Sequence, residues 1–231
     1  MSSDILNEQI AYYRARAQEY DESIYQVGQF ASHEQPADEQ AANLDQARVR
    51  LEALKPVQHT LELACGTGMW TASLLNIAQH VTALDASPEM LERARRKVGD
   101  ARVHYQQADL FTWEPGQQYD LVFFAFWLSH VPPERLDDFF ARAQRAVRPG
   151  GQLFIVDQYA PLPDDLLLPQ EGIYHTRTLF DGRAFKIVKV FYDLAMLEEK
   201  LARSGFAAAT QKHGDIFFSL VAHAAGKQAE K

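Results

Sequence analysis

The chain has 231 residues, 47% of them hydrophobic and 23% charged, which suits one α/β domain with a substantial core. Its formal net charge of −8 has the wrong sign for a protein that gains affinity by neutralising phosphates, so nucleic acid is not an expected partner. The single cysteine, Cys65, permits no intrachain disulfide and points to a reducing, cytoplasmic setting, while the apolar run Leu121–Leu128 is far too short to cross a bilayer.

The N-terminal stretch lacks the basic and apolar regions of a secretory signal, so a soluble protein is expected. Two helical segments come first, about Ile5–Tyr20 and Glu39–Leu54, read as a cap (residues 1–34) and a packing helix on a single domain spanning 1–231. Tyr13 and Tyr20 lie two helical turns apart, on one face of the first segment.

From Leu61 onward, short β-branched or aromatic runs alternate with longer amphipathic ones, the βαβ pattern. Expected strands are His59–Ala64, His80–Leu84, Val103–Gln107, Leu121–Phe126 and Gln152–Val156, with helices Met69–Ile77, Pro88–Val98 and Pro133–Val147 between them. Pro88 and Pro133 sit in first turns, where proline is tolerated, and Ser87 is placed to cap its helix. Arg148-Pro149-Gly150-Gly151 should break the last helix and turn the chain into the next strand.

Residues 160–191 read as an irregular, proline-marked connection followed by a hairpin, Tyr174–Phe180 and Ala184–Phe191, around Asp181-Gly182-Arg183. The hairpin carries His175, Arg177, Arg183, Lys186 and Lys189. They make either a solvated face or a lid with Arg177 or His175 turned toward an acidic substrate. A helix Asp193–Ser204, stopped by Gly205, and an antiparallel pair, Phe206–Gln211 with Ile216–Ala222, complete the chain.

The strongest local signal is Leu61-Glu62-Leu63-Ala64-Cys65-Gly66-Thr67-Gly68, ending a strand and opening a helix. Gly66 and Gly68 let backbone turn sharply and approach a ligand, and Asp85, ending the next strand, can accept two ribose hydroxyls. A dinucleotide loop wants a third glycine, where this chain has Thr71 beside bulky Trp70, and Glu62 would repel a pyrophosphate. An adenosine with a cationic amino-acid tail fits better.

Glu62–Gly68 resembles motif I of class I S-adenosylmethionine-dependent methyltransferases. Leu84-Asp85-Ala86-Ser87-Pro88-Glu89-Met90-Leu91 resembles that family's ribose-binding segment, Ala108-Asp109-Leu110 its adenine-binding turn and Tyr119-Asp120-Leu121-Val122 its fourth strand. Four motifs in order cover most of the chain. The resemblance implies a Rossmann-like three-layer sandwich: a mostly parallel seven-stranded sheet with an antiparallel edge strand, an N-terminal cap helix and an inserted hairpin.

It implies S-adenosyl-L-methionine as cofactor, with Gly66 and Gly68 under the methionine tail, Ala64 among the binding residues and Glu62 orienting the loop. Asp85 would hold the ribose, Ala86 and Met90 would line the adenine, and Asp109 and Leu110 would address its amino group and ring. Phe126 would sit near the cofactor, Tyr13 and Tyr20 would close over it or pack their helix on the core, and Trp70 would cover its tail or anchor its own helix.

Methyl transfer is an in-line displacement that needs alignment and, for a protonated acceptor atom, a base. His130, just past the fourth strand, is the candidate base; its bland alternatives are capping the helix at Pro133 or packing. The eight histidines show no paired ligand spacing, and no metal is expected. Residues 124–130 lack the Asn/Asp-Pro-Pro-aromatic motif of enzymes that methylate exocyclic amines in nucleic acids, which favours a small-molecule O, N or S acceptor. The alternatives are an NAD(P)-dependent oxidoreductase and a protein that binds the cofactor without transferring its methyl group.

Overall fold

The computed structural model describes residues 3–24, 37–161 and 168–225. Part of the expected cap region, residues 25–34, and Pro163 of the irregular connection lie outside them. The first half runs α1 (Ser3–Arg16), α2 (Tyr20–Ile24), α3 (Ala37–Glu52), β1 (Val57–Leu63), α4 (Thr71–Leu74), β2 (Ala78–Asp85), α5 (Pro88–Val98), β3 (Val103–Gln107) and β4 (Tyr119–Ala125). A 3₁₀ turn, Leu128–His130, leads to α6 (Pro133–Ala146), β5 (Val147–Gln158), β6 (Gln170–Glu171), β7 (Tyr174–Thr178) and β8 (Ala184–Val188). The chain closes with α7 (Leu194–Arg203), β9 (Phe206–His213) and β10 (Phe217–Ala224).

Seven strands form one sheet in the order β3-β2-β1-β4-β5-β10-β9. The expected reversal is β10, antiparallel to both neighbours and one strand in from the edge. Alternation along β4 builds both layers: Leu121 and Phe123 enter one core cluster, Val122 and Phe124 the other. Leu63 pairs with Leu84 on β2 and with Phe124 on β4, so three strand ends finish level. Successive strands are laid on opposite sides of β1, and the crevice beyond the β1 and β4 ends is where such sheets bind ligands.

Three elements differ from the sequence reading. The helix expected over 69–77 is only α4, because i→i−3 bonds from Asn76 and Ile77 to Ser73 and Leu74 tighten its end before β2 begins. The first helix stops at Arg16, where Ala17 and Glu19 bond back three residues, and Tyr20 starts a separate turn of helix. Arg148–Gly151 lies inside β5 as an irregularity, the register on β4 jumping between Tyr119 and Leu121.

Local caps follow the expected chemistry. Ser87 Oγ accepts from the Met90 amide and Asp193 from the Met196 amide. The hairpin, with β6, forms a separate three-stranded antiparallel sheet. It packs on α1 through Tyr12 and Phe185, whose ring centroids are 5.8 Å apart. Among the described residues, no helix is long and apolar enough to cross a membrane.

Candidate active site

A cleft lies beyond the level ends of β1, β2 and β4. Ala64 and Gly66 form its floor, Asp85, Ala86, Ser87 and Met90 one wall, and Asp109 and Leu110 another. Ala125, Phe126, Trp127 and His130 come from the segment after β4, and Gln9, Ile10, Tyr13 and Tyr20 close it from the N-terminal helices. Among the described residues, Ala64 (φ 53°) and Phe126 (φ 55°) are the non-glycine residues with left-handed backbone, and both line this cleft. Such conformations cost of order 1–3 kcal/mol and persist where the surroundings impose them, often at functional sites.

Asp85 ties the floor to the wall. Its Oδ2 accepts from the Gly66 amide and its Oδ1 from the Ser87 amide, each at 2.8 Å. Because Ser87 is the cap of α5, Asp85 is not needed for that task. Burial raises its carboxyl to about 6, against the backbone amides of Ser87, Gly66 and Ala86, which favour the charged form. Asp109 Oδ1 accepts from the Phe111 amide at 2.9 Å, bracing the turn after β3 while lining the cleft.

Three residues assigned to the cofactor lie outside the lining. Gly68, at φ 80°, faces α5 instead, where an added Cβ would come within 3.0 Å of Val98 Cγ2 and 3.2 Å of Ala94 Cβ. Trp70 is buried against Phe123, under the Arg48 guanidinium. Glu62 is buried behind the loop and accepts from Thr71 Oγ1 at 2.6 Å. It lies one layer behind the ligand space.

Burial pushes the Glu62 carboxyl up to about 8 from an ordinary 4.5, against the Thr71 hydrogen bond that favours the charged form. A folded-state pKa raised in this way means the contribution to stability is complete below pH 4.5 and is lost as pH rises toward 8. Glu62→Gln removes that titration. The variant should therefore gain stability relative to the parent between pH 5 and pH 8, by at most about 1.4 kcal/mol per unit. Thermal melts of both proteins without ligand, compared across that range, check this; a constant gap would mean that Glu62 stays charged.

His130 is buried, with Nδ1 2.7 Å from the Val188 carbonyl and Nε2 2.6 Å from the Tyr13 hydroxyl. A carbonyl only accepts, so Nδ1 carries the proton and Nε2 accepts from Tyr13. Burial, and then the Lys189 charge, hold its pKa well below 6.5. It does not cap α6, whose N-cap is Pro132 without a side-chain bond. Tyr13 also packs edge-on against Tyr20 and His130, at centroid distances of 6.2 and 5.3 Å.

The sequence reading missed several members. Gln9 sits one helical turn before Tyr13, a spacing that marks the same face. It donates to the His130 carbonyl and accepts from the Val188 amide, pinning the 3₁₀ turn to β8. Trp127 lines the cleft directly after Phe126. Lys189, read as part of a solvated hairpin face or lid, is buried: its Nζ bonds Ser129 Oγ and Gln158 Oε1, next to buried Asp157. Nothing in a five-residue strand pattern announces a buried lysine whose partners lie on other elements.

Residues 60–151 match a family model described as a methyltransferase domain. A solved complex of DhpI with SAH is 37% identical and superposes with a TM-score of 0.80, covering 99% of this chain and 100% of that one. A second DhpI complex, with SAM and HEP, is 38% identical at the same TM-score and covers 96% and 99%. The demethylmenaquinone methyltransferase of Clavibacter sepedonicus is 36% identical over 115 residues, 47% of this chain and 45% of its own. The trans-aconitate 2-methyltransferase of Escherichia coli O139:H28 is 32% identical over 125 residues, 53% and 45%. The chain thus spans about half the length of the curated relatives it matches.

Proposed function

The chain belongs to the class I, Rossmann-like S-adenosylmethionine-dependent methyltransferases, and on that premise we propose that it transfers the methyl group of S-adenosylmethionine to an O, N or S atom of a small-molecule acceptor. The observation that carries the reading is the Asp85–Gly66 bond across a cleft edged by left-handed backbone at Ala64, Gly66 and Phe126. A DhpI complex that holds both SAM and HEP supports a site able to take a second ligand with its cofactor. The two curated relatives are named for unlike acceptors, so kinship does not choose among them.

The residues present suit this cofactor. A carboxylate offers about four lone-pair positions; Asp85 accepts from the Gly66 and Ser87 amides and keeps capacity for ribose hydroxyls. Met90 and Leu110 supply apolar surface for a purine, and Asp109 an acceptor for its amino group. When bound, the cofactor supplies a methyl group activated by a sulfonium.

The chain's own residues then align and deprotonate. Tyr13, Tyr20 and Gln9 close the cleft against water. The Tyr13 hydroxyl, already donating to His130 Nε2, would take the acceptor's proton as it passes its own to the imidazole. Gln9 pins the His130 backbone, and the Val188 carbonyl fixes the tautomer of its ring.

Calorimetry with S-adenosylhomocysteine, with NAD as the control, tests the cofactor, and release of S-adenosylhomocysteine from S-adenosylmethionine tests transfer. Asp85→Ala should weaken both sulfur ligands equally, by about 1.5–3 kcal/mol, because they share the ribose. A variant that melts earlier yet binds both normally would reduce Asp85 to a structural brace.

A further inference from the structure

The small sheet of β6, β7 and β8 ends at β8, an edge strand. Such an edge carries a row of outward backbone groups that need partners. Amides alternate in direction along a strand, and that of Lys189, just past β8, points back to the Ile173 carbonyl before β7. Those of Lys186, Val188 and Val190 therefore face out. They donate to Glu8 Oε1 at 2.6 Å, Gln9 Oε1 at 3.0 Å and the Ser129 carbonyl at 2.8 Å. The outward carbonyl of Val188 takes a fourth bond, from His130 Nδ1. Two side chains of α1 and the turn bearing His130 thus stand where a further strand would lie, and the hairpin edge is the template for both.

Gln9 closes a circuit on that template. Its Oε1 holds Val188, its Nε2 donates to the His130 carbonyl at 3.2 Å, and the His130 ring returns to Val188. The side chain is buried, and its carboxamide donates and accepts at once, which neither a carboxylate nor an ammonium can do. One turn further along α1, the Tyr13 hydroxyl meets the other ring nitrogen.

We propose, building on the methyl-transfer reading above, that Gln9 is a positioning residue that makes the seating of α1 and the orientation of the His130 ring one event. Nε2 is aimed at Tyr13 only when the helix is docked on the β8 edge. Removing the carboxamide leaves the Val188 amide and the His130 carbonyl buried without it, a cost that favours opening the junction to water. Water at the ring restores the solvation that burial denies it and offers partners to both nitrogens. The ring should then populate both tautomers and titrate nearer its ordinary value. The charges facing it are Lys189 beyond β8, Arg177 on β7 and Arg16 on α1, all opposing protonation and all retained when Gln9 is replaced. Asp157 on β5 stands beside Lys189 and accepts from the Ser129 amide.

The test is NMR of nitrogen-labelled imidazoles in the whole protein as pH is varied, with His130→Ala identifying the signals. The parent should show one His130 tautomer, protonated at Nδ1, and no His130 titration near the ordinary 6.5. Gln9→Met, which keeps the bulk and loses both bonds, should give mixed tautomers and raise the His130 midpoint by about one unit or more. Gln9→Glu is the conservative rescue: protonated, it offers one donor and one acceptor like the carboxamide, and ionised it offers acceptors alone. That single variant should show the parent's tautomer at low pH and lose it reversibly as its carboxyl ionises, which keeps the test decisive if Gln9→Met does not fold. Glu8→Gln, still an acceptor for the Lys186 amide, should leave the His130 signals as in the parent. An unshifted midpoint and single tautomer in Gln9→Met, or His130 signals in Gln9→Glu that ignore its carboxyl, would overturn the proposal. These signals need no cofactor, so failure to bind S-adenosylhomocysteine would sink the methyl-transfer reading and leave the positioning result standing.

Discussion

Gly66→Val should weaken S-adenosylhomocysteine binding by more than about 100-fold while leaving the protein folded. Gly66 sits at φ 54° on the cleft floor, and its amide donates to Asp85 at 2.8 Å. A β-branched residue is a strong outlier at positive φ, so the loop must move, and with it the amide that Asp85 holds. The two methyls would also project into ligand space. Alanine separates these effects: among the described residues its Cβ meets Tyr20 Cε1 alone, at 3.9 Å, an ordinary contact, which leaves backbone strain as the main cost. Gly66→Ala should therefore bind with intermediate affinity. Gly68→Ala should behave differently, lowering the melting temperature through its clash with Ala94 and Val98 more than it lowers affinity. Normal S-adenosylhomocysteine affinity in Gly66→Val would move the site elsewhere.

His130→Ala should lower kcat about 10²-fold or more with cofactor affinity nearly unchanged. The buried ring is held neutral well below pH 6.5, so the acidic limb of the parent's pH–rate profile should fall below that value, not at it, and should vanish in the variant. Tyr13→Phe removes the hydroxyl 2.6 Å from Nε2 and should reproduce much of the rate loss if the proton passes through it. Parallel losses of binding and stability with an unchanged pH profile would make His130 a packing residue. A near-normal rate would remove the base assignment alone, since an acceptor without a proton on its nucleophilic atom needs no base.

The parts of this protein that were legible in the sequence are those specified within short windows. Strand β3 and helix α5 match their expected bounds, because hydrophobic patterning and an N-terminal Ser-Pro are local signals. Strand-end placement followed too. Each βα unit ends its strand at the same edge, so Ala64, Asp85, Asp109 and Phe126 could be assigned to one cleft from the order of motifs.

Tertiary structure decided what side chains do once those ends are level. The two glycines of one loop have opposite orientations, and only the position of α5 reveals that Gly68 meets helix and Gly66 meets ligand space. The break after Arg16, closed by bonds from Ala17 and Glu19 back to Arg14 and Arg16, is marked by no proline or glycine in residues 14–20. His130 became a neutral, oriented imidazole through Tyr13, Gln9 and Val188, which lie at least 58 positions away in the chain. The buried Lys189, with Ser129, Asp157 and Gln158, belongs to the same class. Hydrophobic period and turn chemistry are read over a few residues, whereas burial, charge state and hydrogen-bond partners are set by elements that meet only after the chain has folded.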